Sequence, residues 1–349
     1  MSKPIVLRLG KITYAQKEWE EAKKVVEVLT VPESTTRNEF IRRLKDPNDK
    51  LSKISAIART YESIAQTGRF DKEIAESLPN SCVAVCHTGA GYDQIDVQYF
   101  NERHIQVSHT PGFVDNATAT THVFLLLAAM RNFVWGARNL RAGKWTDGNG
   151  GQKAGADVDF GHDLEGKTIG IVGLGGIGRA LLKKLKPFDF SRILYSNRRR
   201  LSANLENGAE FVDFETLLKE SDIISISVPL NSETRHLFNK ETFAKMKDGV
   251  VIVNTARGPV INESDLIDAL KTCKVRAAGL DVFEFEPIVP QELLDMPQVV
   301  TIPHMGTYSV ETRKSLEVHV IDNVVSAVTA NKVVSCVPEI KNEKWFLEL

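Results

Sequence analysis

Three segments of this chain end in side chains that can move a proton or hold an anion. Val253-Asn-Thr-Ala-Arg257-Gly carries an arginine, and Gly279-Leu-Asp281-Val-Phe-Glu284-Phe-Glu286-Pro carries carboxylates. Thr301-Ile-Pro-His304-Met-Gly306 carries a histidine. A guanidinium can hold a carboxylate through paired hydrogen bonds and polarise a neighbouring carbonyl. An imidazole is the natural proton donor to an alkoxide as it forms. A carboxylate on the ring's other nitrogen fixes its tautomer and stabilises its protonated form. Taken singly, these residues read as a strand cap, an ion pair and a core histidine. Each segment, however, follows a short apolar strand, which brings all three to the edge where ligands bind in open α/β sheets. A shared site explains that arrangement better than three coincidences.

A fourth segment supplies a place for phosphates. The run Thr168–Val172 leads into Gly173-Leu-Gly175-Gly176-Ile177-Gly178, followed by helix-prone Arg179–Leu185. Strand, GxGxxG and helix in that order are what dinucleotide binding requires. The first glycine permits the turn, the second lets a pyrophosphate approach, and the third lets helix and strand pack. The helix N-terminus then offers N–H groups to the phosphates. The next strand, Arg192–Ser196, ends in Asn197-Arg198-Arg199-Arg200 rather than in the acidic residue that would accept from a ribose 2′-hydroxyl. Arginines at that position pair with a 2′-phosphate. NADP(H) is therefore expected as the preferred cofactor, with NAD(H) possible.

The remainder of the chain bounds these expectations. Its 349 residues are enough for two cored domains. Lys and Arg number 44 against 45 Asp and Glu, a net charge of −1 that gives no electrostatic case for nucleic acid or a membrane as partner. The longest apolar run, Val123–Met130, is too short to span a bilayer. Met1-Ser-Lys-Pro carries no leader pattern, and the four cysteines form no CxxC pair. Cys82 and Cys86 read as small core residues, no metal site is expected, and the cytoplasm is the expected compartment.

Strands are expected at Pro4–Leu9, Ile54–Ala58, Cys82–Cys86 and His104–Ser108, with helices over Trp19–Leu29, Thr35–Leu44 and Phe70–Leu78. Pro111-Gly112 marks a turn and hinge. Helices over Asn116–Arg131 and Phe133–Leu140 precede a polar, Gly-rich connection at Asp147–Gly161. Strands follow at Thr168–Val172, Arg192–Ser196, Ile223–Val228, Val250–Asn254, Ala277–Leu280 and Val299–Ile302, and a helix over Ser309–Thr329 returns the chain to its first domain. The expected fold is α/β, with two doubly wound parallel-sheet domains. A Rossmann dinucleotide-binding domain (113–310) is inserted into a smaller, flavodoxin-like substrate domain built from 1–112 and 311–349.

These motifs together resemble the D-isomer-specific 2-hydroxyacid dehydrogenases, and within them the fungal glyoxylate/hydroxypyruvate reductases. The likeness rests on the glycine loop with its Leu164-Glu-Gly-Lys167 lead-in, Asn254-Thr-Ala-Arg257-Gly258, Gly279–Pro287, Pro303-His304, His87–Asp96 and the Asn197-Arg198 pair. It implies reduction of a small 2-oxo acid to the 2-hydroxy acid, with Arg257 binding substrate, Glu286 orienting the ring and His304 as acid/base. It places the substrate carboxylate on the Ala90–Gly91 backbone. Cofactor contacts are implied for Thr118, for Gly173, Gly175, Gly176, Ile177 and Gly178, and for Asn197, Arg198 and Arg199. Further along the chain they are implied for Val228 and Pro229, for Thr255, Ala256 and Arg257, and for Asp281, His304 and Gly306. One departure stands out: members commonly read Val/Thr-Ala-Glu where this chain reads Thr118-Ala119-Thr120, which keeps a phosphate contact by Thr118 and removes any role for the glutamate. The likeness also implies a homodimer through 116–145, with Trp145 reaching the partner's pocket. His87, Tyr92, Phe113, Trp145 and Met305 are candidates to line the pocket, each with a plain reading as core. Two other functions fit the same motifs: a reductase for bulkier acids of the D-mandelate or hydroxyphenylpyruvate type, and a dinucleotide-sensing corepressor or scaffold.

Overall fold

A computed structural model describes residues 2–349. The chain divides into two compact units, one running up to Val114 and resuming at Tyr308–Leu349, the other spanning Asp115–Thr307.

The first unit is built on β1 (Ile5–Leu9), β2 (Glu27–Thr30), β3 (Ile54–Arg59), β4 (Ala84–His87) and β5 (Gln106–Ser108), in spatial order β2-β1-β3-β4-β5. All its pairings are parallel. Parallel strands need helical crossovers that cover both faces, which is why β4 is buried along its whole length. Trp19, Phe40 and Phe100 pack against the sheet core, together with Val320 and Val324 of the Val310–Thr329 helix. That helix is also pinned by charge. Buried Glu317 accepts hydrogen bonds from the amides of Thr13, Tyr14 and Ala15 at 3.0, 2.7 and 2.8 Å. Three donors are what a buried carboxylate requires.

The Trp19–Leu29 helix expected from sequence is not formed. A helix covers only Gln16–Ala22, and Glu27–Thr30 is an edge strand in register with β1 from Ile5↔Glu27 to Arg8↔Thr30. The valines at 25, 26 and 28 are stiff at χ1 and favour the pleated conformation, and β1 offers them a ladder. Buried Cys82 and Cys86 are free, and burial pushes both thiols up to about 12.

The second unit carries β6 (Thr168–Val172), β7 (Arg192–Ser196), β8 (Glu210–Phe211), β9 (Ile223–Ile226), β10 (Val250–Asn254), β11 (Val275–Leu280) and β12 (Val299–Thr301). Their order is β12-β11-β10-β9-β6-β7-β8, again all parallel. The order reverses at β6, which lies between β7 and β9. In a doubly wound sheet the ligand crevice opens at the carboxyl end of such a strand. The Asp115–Arg131 helix packs Leu125, Leu126 and Ala129 against Ile169, Ile171 and Val253 of the sheet. Among the described residues, no helix is long and apolar enough to cross a membrane, and no group of three metal-ligating side chains is present.

Candidate active site

The glycine loop leaves β6 at the switch point. Gly173 has φ +98°, and a Cβ there would lie 2.7 Å from the Ser227 carbonyl oxygen. A Cβ on Gly178 would lie 2.3 Å from the Gly173 oxygen, so only glycine lets the Gly176–Leu185 helix sit this close to β6. Gly175 is different: nothing lies within 4 Å of its would-be Cβ. As N-cap it offers no side chain to the helix's first N–H groups, which remain for an anion. This open cradle at an uncapped helix start fits a dinucleotide pyrophosphate. The Asp115 carboxyl packs on Gly176; burial pushes it above its ordinary value, while the Arg179 charge opposes that.

At the end of β7, the Asn197 Oδ1 accepts from the Leu174 amide at 2.7 Å and ties the loop down. Arg200 turns away to Glu206 at 2.8 Å. Arg198 and Arg199 remain exposed, Arg198 facing a distant Glu233 at 3.9 Å. Val228 and Pro229 follow β9, and Thr118 lies buried where a Cβ on Gly306 would touch its methyl at 3.4 Å.

The proton-handling groups gather at the ends of β10, β11 and β12. Asn254 builds the first turn: its Oδ1 accepts from the Ala256 amide at 2.9 Å and its amide donates to the Arg257 carbonyl at 3.0 Å. Arg257 donates from Nη1 to the Ala256 carbonyl at 2.8 Å, and its charge is felt by Glu286. Asp281, buried after β11, accepts from the amides of Met305 and Gly306 and so shapes the turn that carries His304. Burial pushes its carboxyl up to about 6, against the pull of those amides and of His304. His304 sits at φ +51° and shares a 2.8 Å hydrogen bond between Nδ1 and Glu286 Oε2. The other Glu286 oxygen accepts from the Phe283 amide at 3.0 Å. Burial raises the Glu286 carboxyl, but the bond and charge of His304 and the charge of Arg257 carry it below its ordinary value. The dyad is thus a carboxylate facing an imidazole, beside a guanidinium.

Several contributors were not legible as site residues. Glu284 and Glu263 clamp each other: Glu284 Oε2 accepts from the Glu263 amide at 3.0 Å, and Glu263 Oε2 from the Glu284 amide at 3.2 Å. Glu284 also meets His236 at 2.6 Å. Fully buried His122 bridges Ser225 at 2.8 Å and Thr255 at 3.0 Å, linking the Asp115–Arg131 helix to β9 and to the turn before Arg257. Burial drives His122 down to about 3, so the ring is neutral and donates through one nitrogen while accepting through the other. A lone histidine within an apolar helix carries no spacing signal that would reveal this. Beside Glu286 and His304 lies a largely apolar cavity of about 300 Å³, lined also by Phe283, Pro287, Leu294 and Ile302.

The Ala90–Gly91 backbone belongs to the first unit. Both residues are half-buried, and neither N–H donates to any group among the described residues. The Ala90 carbonyl is met by His109 Nδ1 at 2.9 Å. Of the pocket-lining candidates His87 is buried, whereas Phe113 and Met305 are exposed and Tyr92 is half-buried with its hydroxyl on Glu339. Trp145 is 47% exposed and is no core residue of its own chain.

A doubly wound unit with a glycine cradle at its switch point and an acid/base dyad at adjacent strand ends defines a nicotinamide-dependent dehydrogenase. Residues 123–306 match the family described as D-isomer specific 2-hydroxyacid dehydrogenase, NAD binding domain, and the chain belongs to that family of oxidoreductases. It is 56% identical over 343 residues to glyoxylate reductase 1 of Saccharomyces cerevisiae, covering 98% of this chain and 97% of the yeast protein. Among solved structures it is similar to a glyoxylate reductase from Paecilomyes thermophila, with TM-score 0.91 and 41% identity over 97% of this chain and 99% of the other. The holo form of Rhodotorula graminis D-mandelate dehydrogenase follows with TM-score 0.88 and 31% identity, over 97% and 98% of the two chains.

Proposed function

We propose that this chain reduces 2-oxo acids of the glyoxylate and hydroxypyruvate class to 2-hydroxy acids, with NADPH preferred over NADH. The bound nicotinamide supplies the hydride that reaches C2. Arg257 holds the substrate carboxylate and polarises the carbonyl. His304 donates the proton to the oxygen, and Glu286 keeps its ring in one tautomer. The observation that carries this reading is the 2.8 Å bond between Glu286 and His304, with Arg257 close enough to lower the same carboxyl. The test is a panel of glyoxylate, hydroxypyruvate, pyruvate and phenylglyoxylate, each with NADPH and with NADH. The highest kcat/KM is expected for glyoxylate or hydroxypyruvate with NADPH. A clear preference for phenylglyoxylate would move the assignment to bulkier acids, which the apolar cavity beside the dyad favours.

Exposed Arg198 and Arg199 support the cofactor preference. Arg198→Asp is expected to raise the KM for NADPH about 10–100-fold, the worth of one charge-assisted hydrogen bond, and to leave the KM for NADH nearly unchanged. Equal effects on both cofactors would overturn it. The proposal includes a homodimer through 116–145, supported by Phe124, Phe133, Leu140 and Trp145, all exposed apolar side chains on that segment.

A further inference from the structure

At the opposite edge of the seven-stranded sheet, where the strands begin, lies a second cavity of about 240 Å³. Its walls include Lys167 just before β6, Asp222 just before β9, Lys247 ahead of β10, and Arg276 within β11, with His162 and Met130 closing one side. The cations here outnumber the anions free to meet them. Lys247 donates to Asp222 at 2.9 Å, and the second Asp222 oxygen already accepts from the Thr168 amide at 2.8 Å. The other carboxylate on the wall, Asp248, is taken by Lys274 at 2.7 Å. Among the described residues, neither Lys167 nor Arg276 lies within 4.0 Å of a carboxylate. Arg276 is half-buried, and among the described residues its side chain makes one hydrogen bond, a weak 3.6 Å approach to the Met130 thioether.

A guanidinium has five donors and is costly to withdraw from water without acceptors. Among the described residues no carboxylate in the wall pairs with it, and burial pushes Arg276 below its ordinary value. The positive field is felt across the cavity, since the Arg276 charge, then burial, then the Lys167 charge hold His162 down against the weaker pull of Asp163. Met130 stands at the C-terminal end of a helix, whose partial negative charge accounts for about half of one cation. It leaves the remaining charge unmet.

We propose that this cavity is a binding site for a small phosphate-type oxyanion, held by the Arg276 guanidinium and Lys167 ammonium. The site is separate from the dinucleotide cradle, which lies at the other end of β6. Its volume sits below the usual range for drug-sized ligands and suits inorganic phosphate or a phosphorylated three-carbon acid.

The experiment is thermal unfolding of the full chain with NADPH at saturation, so that the dinucleotide cradle is filled. Inorganic phosphate and 3-phosphoglycerate are titrated separately against NaCl at matched ionic strength. A saturable rise in Tm of about 3–6 °C at tenfold excess over Kd is expected, lost in both Arg276→Leu and Lys167→Met. A rise with both compounds assigns the site to the phosphate group itself. A rise with 3-phosphoglycerate only assigns it to an organophosphate whose carboxylate is also held. No rise beyond that in NaCl overturns the proposal. So does an equal rise in wild type and variants, which would place the anion elsewhere. A variant Tm lowered by the same amount with and without phosphate would leave Arg276 a helix-terminus counter-charge and also overturn it. Turnover of glyoxylate by the variants, measured in parallel, reports on a remote site and is expected to stay near wild type.

Discussion

His304→Asn is expected to lower kcat for 2-oxo acid reduction by about 10²–10⁴-fold, the range for losing a positioned general acid, while the Kd for NADPH changes by about twofold or less. Asparagine is the informative replacement because His304 occupies φ +51°, a conformation that asparagine adopts at less cost than alanine. The Asp281 carboxylate holds the turn through the Met305 and Gly306 amides, so the cradle should survive loss of the ring. Glu286→Gln separates orientation from proton supply. The Glu286 carboxyl stands below its ordinary value, so the group is ionised across the working range and any stability it lends is lost only as pH falls through that lowered value. Removing its charge removes the acceptor that fixes the ring's tautomer, so kcat should fall by about 10²–10⁴-fold while the Kd for NADPH stays within about twofold. Steady-state kinetics and an NADPH titration of each variant read both effects. Near-normal kcat in His304→Asn would end the mechanism.

Much of this site could be read from the chain because its chemistry is local. The glycine loop, the Arg257 turn and the Pro303-His304 step each lie within a few residues of a strand end, where backbone geometry and residue type act together. What escaped reading depends on contacts distant in sequence. The Glu263–Glu284 clamp spans 21 positions, and the His122 bridges span 103 and 133. Neither leaves a periodic trace. The edge strand Glu27–Thr30 was lost for the same reason: its helical neighbour and its valines give conflicting local signals, and only pairing with β1 decides between them. Asn197 shows how position and contact differ in kind: its place at the end of β7 is legible, whereas the bond from the Leu174 amide to its carbonyl oxygen, 23 positions away, is not.

Gly258→Ala and Gly175→Ala should fail in opposite ways. Gly258 lies against the backbone of the Glu286 loop: a Cβ there would fall 1.8 Å from both the carbonyl carbon and oxygen of Phe283 and 2.5 Å from the Glu284 amide nitrogen. Backbone cannot swing aside as a side chain can, and these two residues are already committed. The Phe283 amide holds Glu286, and the Glu284 amide holds Glu263. A methyl group must therefore pry the Arg257 turn from the loop that orients His304. Overpacking of this kind costs about 1–3 kcal/mol or more, which in a unit of this size lowers its unfolding midpoint by roughly 4–10 °C, with kcat falling as the dyad loses its partner geometry. Gly175 has open space around its Cβ position and φ −76°, which any residue adopts. Alanine there should leave Tm within about 1 °C, since exposed substitutions clear of packed features stay within about ±0.5 kcal/mol. Its methyl would stand where the pyrophosphate must approach, so NADPH affinity should fall at least tenfold in a fluorescence titration. If Gly175→Ala bound NADPH normally, the cradle would not be where the cofactor sits. If Gly258→Ala kept its Tm, the contact between the Arg257 turn and the Glu286 loop would be looser than the backbone distances require.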